Sequence, residues 1–140
     1  MTALCTTLPD NLRLLLVDDH RIFLDGLSLA LSPLSQNLQI HTAHSAAEAE
    51  QCLRQHDYDL VLLDLRLPGM DGLDSLPYFK SALPDAKVMI LTQSDDEADV
   101  LRAISRGASG YLLKSSTVEQ ITEGIRTVMG GGAPLDIGVA

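Results

Sequence analysis

Short apolar runs alternate along this chain with longer stretches in which apolar positions recur every three or four residues. The runs sit in Leu12–Val17, Tyr58–Leu63, Lys87–Leu91 and Ser109–Leu113. They read as buried parallel strands, because a strand covered on both faces loses the apolar–polar alternation. Leu38–Ala43 does alternate, as an edge strand would. The first helix opens at Asp19 or His20, carries apolar Ile22, Phe23, Leu27, Ala30 and Leu31, and ends at Ser32-Pro33. Ser45 with Glu48 predicts a capping box for a second helix that buries Ala46, Ala49 and Leu53 and closes at His56-Asp57. The loop Arg66–Gly72 holds the turn dipeptides Pro68-Gly69 and Asp71-Gly72, and a third helix runs over Leu73–Leu83 with Pro77 in its early part. A fourth helix is predicted from Ser94–Glu97, with Val100, Leu101 and Ile104 inward, stopped by Gly107. Thr117 caps the fifth, whose apolar face is Val118, Ile121, Ile125 and Val128 and which Gly130-Gly131-Gly132 stops. Five strands alternating with five helices predict an α/β doubly wound parallel sheet.

The charges at the ends of these runs carry the candidate chemistry. The first run is followed by Asp18 and Asp19, the next strand by Asp64, and the last by Lys114. Ligands of an open parallel sheet bind just outside the carboxyl ends of its strands, so these four residues are predicted to meet. Three close carboxylates need a compensating cation. A small oxygen-lined site suits Mg2+, which is often shared with a phosphate. A phosphoryl group on Asp64 would offer one oxygen to Mg2+, one to the Lys114 ammonium and one to the Thr92 hydroxyl with a backbone N–H. A carboxylate nucleophile forming an acyl phosphate is established chemistry. Taken singly, each residue has a plainer reading. A strand-end aspartate caps a helix, a lysine after a strand is a solvated surface charge, and hydroxyls commonly end strands. Three aspartates at the ends of two strands favour the chemical reading.

Composition narrows the classes. A chain of 140 residues is one domain with a real core, and 46% hydrophobic residues exclude a disordered chain. With 19 acidic and 10 basic side chains the net charge is −9, which argues against nucleic-acid binding by this chain itself. Cys5 and Cys52 lie in no metal or redox spacing and read as free thiols of a reducing compartment. No lysine or arginine precedes Arg13, and the first apolar run is about six residues, so neither a signal peptide nor a membrane span is expected. A soluble, cytoplasmic protein is expected. His20 reads as a helix-start residue at the site rim. His41 and His44 straddle a strand end without an acidic or Cys partner, and His56 stands apart. Phe23, Tyr78 and the methionines read as packing residues.

The segments LLLVDDH (14–20), LVLLDLRLPGMDG (60–72), VMILTQSDD (88–96) and GASGYLLKSS (107–116) resemble, in that order, the receiver domain of two-component response regulators. The resemblance covers residues 12–129, leaving 1–11 as a lead-in and 130–140 as a linker. It implies a flavodoxin-like (βα)5 fold with strand order 2-1-3-4-5. It implies that Asp64 is the phosphoacceptor, and that Asp18, Asp19, Asp64 and the backbone carbonyl of Arg66 hold Mg2+. Asp19 would be the more direct ligand of the acidic pair. Thr92 matches the switch hydroxyl, Tyr111 the aromatic that turns inward on phosphorylation, and Lys114 the invariant lysine. Arg66 and Ser94 match positions that tune phosphoryl lifetime. The DDHRIF opening and the GASGYLLK segment are closer to the LuxR/NarL/FixJ-like subfamily, whose regulators carry a C-terminal helix-turn-helix. The partners implied are a sensor histidine kinase as donor, a second copy docked through the fourth helix, fifth strand and fifth helix, and DNA only through a domain absent from this chain. Ser115 stands where many receivers have a proline in a cis peptide. An aspartate-nucleophile phosphatase would need an acid at the position of Arg66, which cannot donate a proton at neutral pH. Asp18 and Asp19 would repel the phosphate of a flavin module. A receiver degenerate in its acids, acceptor or lysine would lack residues that are all present here. The reading is a switch rather than a turnover enzyme.

Overall fold

The computed structural model describes residues 11–67, 70–93 and 96–130, with backbone only over 70–74. Its central sheet has five parallel strands: β1 (Arg13–Val17), β2 (Gln39–Ala43), β3 (Leu60–Leu63), β4 (Lys87–Thr92) and β5 (Gly110–Leu113). Their order is β2-β1-β3-β4-β5, the predicted one. Between and after them run α1 (Arg21–Leu31), α2 (Ala46–Gln55), α3 (Gly72–Ala82), α4 (Glu97–Ser105) and α5 (Val118–Met129). A short antiparallel ladder pairs Arg66–Leu67 with Met70–Asp71. No helix among the described residues is long and apolar enough to cross a membrane.

The strands are apolar on both faces because both faces are covered. Leu14, Leu16, Leu60, Leu62, Met89, Leu91 and Leu112 meet Leu24, Leu27 and Leu31 of α1 and Ile121, Ile125 and Val128 of α5. The alternate positions Leu15, Val17, Val61, Leu63, Val88, Ile90 and Tyr111 share a second layer with residues of α2, α3 and α4, among them Ala49, Leu76, Phe79, Val100 and Ala103. Each fully buried leucine contributes about 2 kcal/mol relative to exposure. β2 lies at the edge, half-buried, as its alternation predicted.

The helix faces differ from the sequence expectation in four places. Ile22 of α1 points to solvent, and the buried stripe is Leu24, Leu27 and Leu31. In α2 only Ala49 is buried. α4 buries Asp99, Val100 and Ala103, leaving Leu101 59% exposed and Ile104 also at the surface. Val118 of α5 is exposed, and Gly124 takes a place on the buried face. Apolar spacing alone does not fix which of two neighbouring stripes turns inward, and in α4 the stripe with a buried aspartate won.

Helix ends account for the chain reversals. The Ser45 hydroxyl accepts from Glu48 N–H at 3.2 Å, but the Glu48 carboxylate reaches back to His44 N–H at 3.0 Å, so the expected box at Ser45 is half-formed. At Thr117 the box is complete with Gln120. α4 starts at Glu97, within the expected Ser94–Glu97, and Asp96 caps Ala98 N–H at 2.9 Å. Pro77 lies inside α3, where it removes one i→i−4 backbone hydrogen bond. Beyond α4, Gly107 adopts φ +102°, a conformation that side-chain-bearing residues rarely take. A Cβ there would meet nothing closer than Lys80 at 3.7 Å, so the penalty is backbone strain rather than a clash. Gly107→Ala is expected to destabilise the fold by about 1 kcal/mol, read as a lower urea midpoint at unchanged slope.

Candidate functional site

Strand register assembles the site. Val17 pairs with Leu63, so the next residues, Asp18 and Asp64, leave adjacent strands at the same level. Asp64 N–H donates to Val17 carbonyl at 2.9 Å and Asp18 N–H to Ala43 carbonyl at 2.9 Å, which continues both ladders past the strand ends. Thr92 pairs with Leu113, and Lys114 N–H donates to Thr92 carbonyl at 2.7 Å. The backbone of all four residues is therefore fixed by sheet hydrogen bonds before any side chain is considered.

Three of the charged side chains converge in a nearly dry place. Asp18 and Asp64 are each 3% exposed. The Lys114 side chain is only 6% exposed, and its Nζ lies 2.5 Å from Asp18 Oδ2 and 3.1 Å from Asp64 Oδ2. Lys114 thus meets the aspartates as predicted, and it is the buried counter-cation of two carboxylates rather than the solvated charge of the plainer reading. Phe23 lies under the same ammonium, with its ring centre at 5.1 Å, so it does more than pack. Asp19 is more open, with a side chain 36% exposed. His20 Nδ1 lies 3.6 Å from its Oδ1.

His20 belongs to the site rather than its rim. Its backbone N–H donates to Asp18 Oδ1 at 3.0 Å, and its Nδ1 lies 3.0 Å from the same oxygen and 2.7 Å from Lys114 Nζ. Ligand atoms of Asp18, Asp19, His20 and Asp64 all fall within 4.8 Å of one another. No other group of three or more metal-binding side chains converges among the described residues. His41 is taken by Tyr58 OH at 2.7 Å, and His44 by Glu48 at 3.1 Å.

The remaining predicted residues are placed as follows. Thr92 is buried and hydrogen-bonds the Asp64 carboxylate. Tyr111 is fully buried, already in the inward position. Arg66 lines a cavity of 290 Å3 together with His20, Asp64, Thr92 and Gln93. Its guanidinium also lies 3.8 Å from Asp99 of α4, a carboxylate 8% exposed that Arg102 holds at 2.7 Å. Asp99 was not singled out in the sequence, since nothing in its spacing marks a partner 33 positions away. Ser94 lies outside the described residues. There is no cis peptide among the described residues, Lys114–Ser115 included.

Burial pushes the Asp64 carboxyl above its ordinary range. The Lys114 charge opposes this, the Asp18 charge adds to it, and hydrogen bonds from Lys114 and Thr92 pull it down. Below the ordinary value of 3.8, Asp64 is protonated in folded and unfolded chain alike. As the pH rises through the raised folded value, the unfolded chain gives up its proton first, so stability falls. Ionised Asp64 thus weighs against the fold at neutral pH. Asp64→Asn is expected to stabilise the fold by about 1 kcal/mol at pH 7, with the gain fading toward low pH. Urea unfolding at both pH values checks it, and an equal difference at both contradicts it.

The donor set fits a dication. Three carboxylates against one ammonium leave two negative charges uncompensated, and hard oxygens are what Mg2+ and Ca2+ take.

The family model of the response regulator receiver domain matches residues 14–126. The chain belongs to the response regulator receiver domain family. A curated relative, the transcriptional regulatory protein MctR of Rhizobium johnstonii, is 34% identical over 92% of this chain and 60% of its own length. The chain spans about 60% of the length of the first curated relatives it matches. Among solved structures, the signal receiver domain of the response regulator NarL from Mycobacterium tuberculosis superposes with a TM-score of 0.77 at 34% identity, covering 88% of this chain and 99% of that one. A response regulator from Burkholderia pseudomallei, solved with a phosphorylated aspartic acid, a calcium ion and citrate, gives a TM-score of 0.73 at 27% identity, covering 79% of this receiver chain and 64% of that one. The receiver is thus of the NarL/LuxR type expected from its motifs.

Proposed function

We propose that this receiver accepts a phosphoryl group on Asp64 from the phosphohistidine of a sensor histidine kinase, and that the acyl phosphate controls an attached output domain. The observation that supports this most is the convergence of Asp64, Asp18, Asp19, Lys114 and Thr92 with an excess of two negative charges. Asp64 is the nucleophile, its carboxylate oxygen forming the bond to phosphorus as the donor imidazole leaves. Lys114 binds a phosphoryl oxygen through its ammonium, and Thr92 donates its hydroxyl to another. Asp18, Asp19, Asp64 and the Arg66 backbone carbonyl would hold Mg2+, which when bound would neutralise carboxylate charge and orient the phosphoryl group. Arg66, at the cavity wall, tunes the approach of water and with it the slow hydrolysis that resets the switch; Ser94 shares that role. The chain performs its own transfer and hydrolysis and does not turn over an external substrate.

In the conformation described, Thr92 already bonds Asp64 and Tyr111 is already buried, so phosphorylation would hold this arrangement rather than create it. The output face is α4, β5 and α5, where Leu101, Ile104 and Val118 are exposed, and a second copy docks there. Residues 12–129 are the receiver domain and 130–140 a linker to a DNA-binding helix-turn-helix domain. The name of MctR and the unmatched part of its length support that arrangement. The setting is the cytoplasm.

The test is acetyl phosphate with and without Mg2+, read by intact mass. Wild type is expected to gain one phosphate with Mg2+ and none in a chelator, and Asp64→Asn none in either. Equal labelling of Asp64→Asn rejects the reading.

A further inference from the structure

We propose that His20 is a nitrogen ligand of the acidic site, which makes the site favour a borderline transition-metal dication such as Co2+ over Mg2+. The inference rests on the reading of Asp18, Asp19 and Asp64 as a cation site. It goes beyond that reading by adding a ligand of different chemistry.

The geometry already displays the donor set around a cation. Lys114 Nζ lies 2.5 Å from Asp18, 3.1 Å from Asp64 and 2.7 Å from His20 Nδ1. His20 Nδ1 also lies 3.0 Å from Asp18 Oδ1, so the ring nitrogen sits between a carboxylate and the ammonium, and the tautomer protonated at Nε2 turns its Nδ1 lone pair to the cation. Two carboxylates and one imidazole thus converge on a single positive point, and Asp19 lies within 4.8 Å of all of them. A dication at that point meets the same donors, and the ammonium it displaces is free to turn to a phosphoryl oxygen.

The ring is held there by its backbone. His20 N–H is fixed on Asp18 Oδ1, and its carbonyl accepts from Leu24 N–H at 3.1 Å in the first turn of α1. The imidazole is about half exposed, so ions reach it from solvent without rearrangement of the core. Imidazole raises the affinity for Co2+, Ni2+ or Zn2+ much more than for Mg2+, which prefers oxygen and sheds water reluctantly.

The test is calorimetric titration of the whole chain with Co2+ and with Mg2+, paired with pulsed EPR of the Mn2+-loaded protein. His20→Ala is expected to weaken Co2+ on the order of tenfold and Mg2+ by about twofold or less. His20→Asn, which keeps a good helix-capping residue without the imidazole, is expected to do the same. Wild type should show nitrogen modulation on Mn2+ that both variants lose and His41→Ala retains. Unchanged Co2+ affinity and modulation in the two His20 variants would overturn the proposal. So would an equal loss for both ions, which would make His20 a support for Asp18 instead. In either case a Mg2+ loss in Asp19→Ala leaves the cation site standing, whereas no binding of any ion by wild type removes both.

Discussion

Lys114→Ala is expected to lose about 3 kcal/mol of stability at pH 7 without divalent ions, and to regain part of it in millimolar Mg2+. The sequence suggests the opposite, since a solvated ammonium at a strand end contributes little to a fold. In the structure the side chain is 6% exposed and pairs with two aspartates that are themselves buried. Removing one partner of such a cluster leaves uncompensated charge in a dry place, which is far worse than replacing the whole cluster by apolar groups. The sign with pH follows. Without Lys114 the opposing influence on Asp64 is gone, and its carboxyl moves further above its ordinary range. The defect should therefore be present at neutral pH and shrink as the pH falls through that raised value. Phosphorylation by acetyl phosphate is expected to slow on the order of a hundredfold even where the variant folds, because a positioned donor to the phosphoryl oxygens is missing. Thermal unfolding with EDTA and with Mg2+ separates the two effects. A melting curve that matches wild type in both conditions would mean that Lys114 is not where the structure puts it.

The second large effect separates the two adjacent aspartates. Asp19 is the more exposed and lies 3.6 Å from His20 Nδ1. Asp18 is buried, pairs with Lys114 and accepts the His20 backbone N–H. Asp19→Ala is expected to leave the fold intact, to weaken Mg2+ roughly tenfold through loss of a hard oxygen ligand, and to nearly abolish phosphorylation. Asp18→Ala should act first on stability, because it removes one of the two buried carboxylate partners of Lys114 and the acceptor of the His20 backbone N–H at the start of α1. Mg2+ titration by NMR shifts alongside urea unfolding checks the pair. Equal stability losses, or an unchanged Mg2+ affinity in Asp19→Ala, would mean that the two residues do not divide the work in this way.

The sheet was legible because buried parallel strands are apolar on both faces, and LLLV, LVLL and VMILT are apolar runs of strand length separated by helix-like stretches. Their carboxyl ends fixed the place of Asp18, Asp64, Thr92 and Lys114 without any side-chain detail. What the sequence hid was burial and pairing across distance. The inward face of α4 could not be read from Leu101 and Ile104, since Asp99 is buried in their stead between Arg66 and Arg102. The role of His20 depends on a ring rotamer that spacing does not encode. A signal was nonetheless present: His20 directly follows two acids at a strand end, the position from which a third side chain can reach the same point. The start of α4 was legible to within Ser94–Glu97, and the backbone path sets the cap at Asp96.

The central claim is that Asp64, and no other acid of the cluster, becomes the acyl phosphate. Borohydride trapping tests it most directly. Wild type is phosphorylated with acetyl phosphate and Mg2+, reduced so that the acyl phosphate carbon becomes a stable alcohol, digested, and mapped by tandem mass spectrometry. The account predicts homoserine at position 64 and unmodified Asp18 and Asp19. Homoserine at 18 or 19, or phosphate retained on His20 after reduction, would contradict it.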